Sequence, residues 1–273
     1  MKSSLHQHKQ AVFESWVRGY CKKTQLHYLW PQICYDPNTL EIIHVVFEKN
    51  SKNEDVISWP VKIEGIEHSN IDFTTKKTTV PDGSEWNFRE WHKIALGGCP
   101  LTKQCEKTPA SFWEWRLQTI PQGNLACDLD FLYKKGDKVF GIEATEIYYI
   151  DECPENPDSD VYEHFIRLLR LRKGGTGGFN IMQLRVRYNL LQRLGGKLLF
   201  LLHKFDKTRN PYELRTDKVS IIEITDEVLG QINKIIEAPG KGHQFADKEH
   251  YKELIKPKMK FMTLESVMQL CTS

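Results

Sequence analysis

The sequence lacks a long apolar run, a cysteine pair at metal-ligand spacing and a nucleotide-binding P-loop. Its longest strongly apolar stretch, LLFLL at 198–202, is far too short to span a bilayer. The first residues contain basic side chains but no apolar core, so we expect that they are not a signal peptide. Seven cysteines without a CxxC pair are typical of reduced thiols and argue against a secreted disulfide framework. We therefore expect a cytoplasmic protein, or a nuclear one in a eukaryote, with no membrane partner.

A large excess of positive charge is also missing. The chain has 38 Lys and Arg residues against 36 Asp and Glu residues, a formal net charge of +2. This total hides an uneven distribution, because residues 158–218 hold thirteen basic and six acidic side chains, a net charge of +7. Within that segment the glycines of loop 174–178 allow backbone N–H groups to approach a phosphate closely. The residues expected to contact a nucleic-acid backbone are Arg170, Arg172, Lys173, Gln183, Arg185 and Arg187. The alternative is a solvated surface that is neutralised by its own acids.

Composition and periodicity together predict the class of fold. Hydrophobic residues make up 40% of the 273 residues and charged residues 27%, which is normal for a globular protein and excludes disorder. The predicted helices lie near 9–22, 108–120, 160–172, 181–194 and 226–236. The predicted strands lie near 40–48, 55–63, 127–133, 138–147, 197–203 and 218–224. We expect an α/β fold with a mixed central sheet flanked by helices. Residues 106–273 would form its core, and residues 1–105 a mixed α/β N-terminal module of unknown role that contains strands.

The segment DLDFLYKKGDKVFGIEATE, residues 128–146, carries the chemistry. Asp130 and Glu143 are predicted on the two strands of a hairpin, among apolar neighbours. Carboxylates in such a setting are costly to bury unless a positive charge compensates them, and Mg²⁺ or Mn²⁺ is a cation that prefers oxygen ligands. Glu114, on the predicted helix before the hairpin, is a candidate third ligand. Asp128 is a rival for the place of Asp130, and a surface salt bridge is the alternative for each carboxylate alone.

These residues resemble the motif of the PD-(D/E)XK nuclease superfamily, which has a restriction-endonuclease-like fold. The motif places an acidic residue on a helix, an Asp on a strand and Glu-x-Lys on the next apolar strand, with helices and a further strand behind. The likeness extends over about 108–224, with Asp130 and Glu143 thirteen residues apart. Where the motif has its lysine, this chain has Thr145. Three readings stay open: a basic residue of the following helices supplies the charge, Thr145 or Glu146 positions the attacking water, or the site is inactive.

The resemblance implies a metal-dependent nuclease, most readily a DNA endonuclease of restriction or defence, recombination or repair type. Its catalytic residues would be Asp130, Glu143, Thr145 and Glu114, with Asp130, Glu143 and Glu114 as ligands of Mg²⁺ or Mn²⁺. DNA is the expected partner, RNA is a second one, and a homodimer stays open. The alternative function is an inactive nucleic-acid-binding or assembly module that keeps the fold of a nuclease.

Overall fold

A computed structural model describes a mixed α/β protein. The described residues are 2–24, 26–36, 38–49, 67–72, 77–79, 85–87, 126–135, 137–146, 161–162, 164–166, 168–169, 181–206, 213–238, 240–241, 244–245 and 248–270. Among these residues, no helix is both long and apolar enough to cross a membrane.

The N-terminal elements are a long helix and a series of strands. They are α1 (Lys2–Thr24), β1 (His27–Tyr35), β2 (Ile42–Lys49), β3 (Glu67–Asp72), β4 (Lys77–Thr79) and β5 (Glu85–Asn87). The hairpin turn between β1 and β2 is closed by Asp36, whose side chain accepts a hydrogen bond from the N–H of Asn38 at 2.7 Å. Leu40 in this turn has a left-handed φ of 60°, and its side chain packs against the core.

The second group of elements contains the predicted hairpin and the strands beside it. They are β6 (Ala126–Asp128), β7 (Phe131–Lys135), β8 (Lys138–Glu146), α2 (Ile181–Arg193), β9 (Lys197–Asp206), β10 (Glu213–Ile224), α3 (Asp226–Glu237), β11 (Gly240–Lys241), β12 (Gln244–Phe245), α4 (Lys248–Ile255), β13 (Met259–Met262) and α5 (Leu264–Leu270). A 3₁₀ turn, Lys256–Lys258, joins α4 to β13. Residues 161–162, 164–166 and 168–169 are also helical.

One mixed sheet organises these elements except β11 and β12, which form a separate two-stranded sheet. Six of its strands follow the order β13-β10-β9-β8-β7-β1, in which only β8 and β9 are parallel. From β1 the sheet continues through β2, β3, β4 and β5, while β6 pairs with the second half of β1. A parallel neighbour needs a crossover connection, and the helical residues and α2 lie between β8 and β9 in the chain.

The two faces of the sheet carry separate apolar clusters. One cluster joins α2, α3 and the helical residues 161–162, 164–166 and 168–169 to alternate residues of the strands. The other joins α1 and α5 to the opposite side chains of the same strands. Along β8, for example, Val139 belongs to the first cluster, while Phe140 and Ile142 belong to the second. This two-sided burial explains the nearly continuous apolar runs of β8 and β9.

Several sequence predictions are confirmed at this level. α1, β2, α2 and α3 lie where periodicity placed them, and β9 is the expected parallel strand. Thr225 caps α3 as predicted, with its hydroxyl oxygen accepting from the N–H of Val228 at 3.2 Å. The predicted strand 127–133 is wrong in detail, because it is interrupted at residues 129–130. The helix at 108–120 and the strand at 55–63 lie outside the described residues.

Strands from both sides of residue 105 share the sheet. β1 pairs with β7 through His27 opposite Lys134 and Leu29 opposite Leu132. Phe13 and Val17 of α1 pack into the same apolar cluster as Phe131 of β7. The division into modules at 1–105 and 106–273 stays a prediction, because the boundary lies among residues outside the description.

Candidate functional site

Asp130 and Glu143 lie at the same level of the β7–β8 hairpin. The antiparallel register ends with Phe131 opposite Ile142, and the next residues outward are Asp130 and Glu143. Asp130 lies in the interruption between β6 and β7 and not within a strand, which corrects the sequence prediction. Its Oδ2 atom accepts a hydrogen bond from the N–H of Ala144 at 2.7 Å. The interruption thus turns the Asp130 carboxylate onto the backbone of β8.

A third residue, Arg187 of α2, completes the site. Its guanidinium Nη2 lies 3.0 Å from Glu143 Oε1 and 3.5 Å from Asp128 Oδ1. Its Nε donates to the backbone carbonyl of Asp128 at 2.6 Å. The side chain of Arg187 is 5% exposed, that of Glu143 16% and that of Asp128 35%, so the cluster runs from a buried guanidinium to a solvent-facing carboxylate.

Close packing between α2 and β8 explains why Arg187 reaches Glu143. A Cβ atom on Gly141 would lie 2.8 Å from the side chains of both Leu129 and Leu191. Leu191 therefore packs directly over Gly141. Arg187 lies one helical turn before Leu191, and Glu143 lies two residues after Gly141 on the same face of the strand. Gly141 allows α2 to approach β8 closely. The four-residue spacing along the helix and the two-residue spacing along the strand then place the Arg187 guanidinium next to the Glu143 carboxylate.

The electrostatic balance of the site is negative. Burial raises the pKa of Asp130, and the neighbouring Asp128 charge raises it further. The hydrogen bond from Ala144 and the charge of Arg187 act in the opposite direction, yet the pKa of Asp130 reaches about 7. The raised pKa therefore reflects chiefly the loss of water around the Asp130 carboxyl group, and the negative charge of Asp128 adds to it.

Arg187 is held in its charged form. Burial alone lowers the pKa of this guanidinium, but Glu143 first, then Cys127, Asp128 and Asp130, more than offset that effect and raise the pKa. A buried arginine with carboxylate partners is a permanent cation, unlike a lysine that titrates when buried. Of the residues predicted to bind nucleic acid, Arg187 thus faces inward. Gln183 and Arg185 are partly exposed on the same helix, and Arg170, Arg172 and Lys173 lie outside the described residues.

The remaining predicted site residues fall in different places. Thr145 lies on the same face of β8 as Glu143, by the two-residue alternation of a strand, and is partly exposed. Glu146 belongs to the opposite face, so it does not share the Arg187 side of the sheet. Glu114 lies outside the described residues, and its predicted role as a ligand stays a prediction.

The sequence prediction missed one acidic residue, Glu14 of α1. The charge of Glu14 helps to raise the pKa of Asp130, and it is the smallest of the five effects that shift this pKa. Glu14 also pairs with Arg18 one turn later, at 3.8 Å between Arg18 Nη2 and Glu14 Oε2. The i,i+4 spacing of the two residues is visible in the sequence, but it indicates only an ordinary helix-surface pair. Proximity to Asp130 depends on the β1–β7 pairing, which no local pattern predicts.

The residue types fit a hard divalent cation, but the arrangement is not a finished metal centre. Carboxylate oxygens are the ligands that Mg²⁺ and Mn²⁺ prefer, and the site has more negative than positive charge. Among the residues that the structure describes, however, no group of three or more His, Cys, Asp and Glu side chains is arranged to hold a metal ion. The Arg187 guanidinium instead lies against the oxygens of Glu143 and Asp128.

Comparison of the chain with protein-family models, with curated proteins and with solved structures finds no match.

Proposed function

We propose that the chain is a metal-dependent nuclease with a restriction-endonuclease-like core, most readily a DNA endonuclease. The observation that carries the proposal is the placement of Asp130 beside Glu143, with a buried cation against Glu143. The arrangement resembles the PD-(D/E)XK motif, and in this proposal Arg187 of α2 supplies the positive charge that the motif lysine would supply.

The order of the elements supports the same proposal. A helix bearing Glu14 precedes strand β1, then Asp130 introduces β7 and Glu143 lies in β8. Helical residues, α2 and the parallel strand β9 follow. The motif has this order of acidic helix, Asp, Glu-bearing strand, helices and further strand. In this arrangement Glu14 is a second candidate for the acidic helix residue of the motif, beside Glu114.

Asp130 and Glu143, with help from Glu114 or the carbonyl of Ala144, are the groups that would hold Mg²⁺ or Mn²⁺. When bound, the ion would polarise the scissile phosphate and lower the pKa of the attacking water. Asp130 is already oriented by the N–H of Ala144, so its carboxylate needs little reorganisation to act as a ligand. A bound divalent cation would also favour the charged form of Asp130, whose pKa is raised to about 7 chiefly by burial.

Arg187 supports the first of the three readings for the missing lysine. A guanidinium stays protonated at every physiological pH, so it does not remove a proton from water. It donates hydrogen bonds, and it would stabilise the negative charge that grows on a phosphate oxygen during hydrolysis. Gln183 and Arg185, partly exposed on the same helix, would contact the phosphate backbone on either side.

A plasmid-nicking assay tests this proposal. We expect supercoiled DNA to be nicked or cut by the wild type with Mg²⁺ or Mn²⁺. Asp130→Asn and Glu143→Gln should each lower the rate by at least about 100-fold, because each removes a charged ligand while preserving size. Asp137→Asn is the matched control, since Asp137 is an exposed acid in the turn of the same hairpin. Cleavage that persists in an Asp130→Ala/Glu143→Ala double variant would refute the metal-site assignment.

A second candidate function is a non-catalytic nucleic-acid-binding or assembly module. Two observations favour it: Thr145 in the lysine position, and the carboxylates held by Arg187. This function predicts salt-sensitive DNA binding without cleavage under any metal condition, because phosphate contacts release counter-ions. Repeating the nicking assay with RNA distinguishes a ribonuclease from either function.

A further inference from the structure

The chain between β6 and β7 is held by contacts with three different elements. The backbone carbonyl of Asp128 accepts a hydrogen bond from Arg187 Nε of α2 at 2.6 Å. The N–H of Leu129 donates to a backbone carbonyl of β1 at 3.2 Å. Asp130 Oδ2 accepts from the N–H of Ala144 in β8 at 2.7 Å. Three neighbours therefore hold the interruption and, through it, the Asp130 carboxylate.

The contact from α2 differs from the other two because its guanidinium also contacts β8. Arg187 Nη2 lies 3.0 Å from Glu143 Oε1 and 3.5 Å from Asp128 Oδ1. The guanidinium is planar, so its Nε and Nη2 donors keep a fixed separation. The Arg187 side chain is 5% exposed, so it joins the end of β6 to β8 from inside the protein.

The two residues that Arg187 contacts are close in sequence to the two partners of the Asp130–Ala144 hydrogen bond. Asp128 is two residues before Asp130, and Glu143 directly precedes Ala144. A displacement of the Asp128 carbonyl would carry the backbone of Asp130 with it, and a displacement of Glu143 would carry the Ala144 N–H. One arginine thus fixes both the acceptor side and the donor side of this hydrogen bond.

We propose that Arg187 is a positioning residue, which holds the Asp130 carboxylate on the N–H of Ala144 by bridging the Asp128 carbonyl and Glu143. The inference rests on the proposed function for the chemistry that Asp130 performs, and it goes beyond that function in stating what keeps Asp130 in place. The bridge needs two donor atoms at a fixed separation, which an arginine has and a lysine lacks.

Solution NMR of the full chain, without metal or nucleic acid, reports on this hydrogen bond. An amide proton that donates to a carboxylate resonates downfield, so the Ala144 amide proton should move upfield when Asp130 is lost as its acceptor. Asp130→Ala defines the full upfield shift. We expect Arg187→Gln to produce at least about half of that shift, because its Asp130 carboxylate is no longer held in place. A role of Arg187 in overall stability alone would leave the Ala144 shift of the folded protein unchanged.

Two controls accompany this measurement. The amide proton of Phe140, which pairs with Tyr133 inside the same hairpin, should keep its wild-type shift in Arg187→Gln. Arg193→Gln is the matched control variant, because Arg193 is an exposed arginine at the end of the same helix. Its Ala144 amide proton should resonate where that of the wild type does.

Arg187→Lys separates charge from geometry, and it keeps the proposal testable if Arg187→Gln does not fold. The lysine retains a positive charge near Glu143, but its single nitrogen cannot bridge the Asp128 carbonyl and Glu143 as a guanidinium does. We expect the upfield shift of the Ala144 amide proton to persist in this variant. A crystal structure of Arg187→Lys should show Asp130 Oδ2 moved out of hydrogen-bonding range of the Ala144 N–H.

Either variant can overturn the proposal. A wild-type Ala144 amide shift in a folded Arg187→Gln variant would show that Asp130 keeps its place without Arg187. An Arg187→Lys variant that keeps both the wild-type shift and the 2.7 Å contact would show that charge alone is sufficient.

The outcome is separable from that of the nuclease assay. If the wild type cuts DNA but the Ala144 amide proton does not respond to changes at Arg187, the positioning proposal fails and the nuclease proposal stands. If the amide proton responds as expected but the wild type cuts no nucleic acid, the positioning proposal stands and the nuclease proposal fails.

Discussion

The charge of Asp130 depends strongly on its surroundings. Its pKa is about 7 in the folded chain, against 3.8 for an unperturbed aspartate. Between those values the folded state binds more protons at this group than the unfolded state does. The contribution of Asp130 to stability is therefore fully present below about pH 4 and is lost as the pH rises through 7.

We expect this loss to be measurable in metal-free protein. We expect the free energy of unfolding of the wild type, measured by thermal melts, to fall between pH 5 and pH 8. Relative to Asp130→Asn the decrease should be on the order of 2–4 kcal/mol. The asparagine variant cannot ionise, so it lacks this dependence, and Asp137→Asn should follow the wild type. Parallel pH profiles for the wild type and Asp130→Asn would contradict the assignment of a raised pKa to Asp130.

Single residues also show where sequence reasoning reaches its limit in the site. Asp130 and Glu143 were identifiable because a short turn separates them, and a hairpin brings such residues together by local geometry. Arg187 was one of several basic candidates, and only the packing of Leu191 over Gly141 selects it. Glu14 was missed, because its approach to Asp130 depends on long-range strand pairing.

At the scale of elements, two glycines set the distance between α2 and the sheet. Gly141 lies beneath Leu191, and Gly196 lies at the start of the connection into β9. A Cβ atom on Gly196 would lie 2.7 Å from the carbonyl oxygen of Val139 and 2.9 Å from the side chains of Val139 and Leu191. The backbone oxygen cannot move aside as a flexible side chain can.

Gly196→Ala should therefore destabilise the fold, by about 1–3 kcal/mol, as overpacking commonly does. Gly230→Ala provides the matched control, because Gly230 lies inside α3 and a Cβ atom there meets nothing within 4 Å. We expect that substitution to stabilise the protein by up to about 1 kcal/mol, through helix propensity. Urea unfolding of both variants measures the difference between their free energies of unfolding. Equal values would contradict the close approach of Gly196 to Val139.

β1 is one of several strands that the sequence patterns did not predict, and it illustrates why some elements are not predictable locally. Its sequence HYLWPQICY contains Pro31, and a proline argues against a central strand. The carbonyl of Pro31 accepts a hydrogen bond from the N–H of Leu129 at 3.2 Å. Because the backbone nitrogen and carbonyl of one residue point to the same side of an antiparallel strand, the nitrogen of Pro31 also faces the interruption between β6 and β7. At that point a missing N–H costs no ladder hydrogen bond. Strong periodicity, by contrast, was enough for α2, α3 and β9.

At the scale of the whole molecule, the sheet is joined by contacts far apart in sequence. β1 pairs with β7, with His27 opposite Lys134, whereas β9 and β10 form a local hairpin. Closing a loop of about a hundred residues has an entropic cost that the local hairpin does not bear. We expect folding on the slow side for a domain, in milliseconds to seconds or longer.

Conservative substitutions test whether β9 and β10 pair before β1 pairs with β7. Ile221→Val in β10 and Ile33→Val in β1 both trim a buried side chain, at 4% and 0% exposure. If β9 and β10 pair early, Ile221→Val should slow folding, while Ile33→Val should chiefly accelerate unfolding. Chevron plots from stopped-flow fluorescence measure both rates. A larger effect of Ile33→Val on the folding rate would reverse the proposed order.

The pairing of β1 with β7 also has a consequence during synthesis of the chain. Translation proceeds at roughly 5–20 residues per second, so the ribosome needs roughly 5–20 s to pass from His27 to Lys134. Throughout that interval the nascent β1 has no β7 to pair with, and the apolar side chains of Tyr28 and Leu29 lack their final neighbours. Chaperones that bind exposed apolar segments would therefore find their target near the N-terminus, well before Asp130, Glu143 and Arg187 have met.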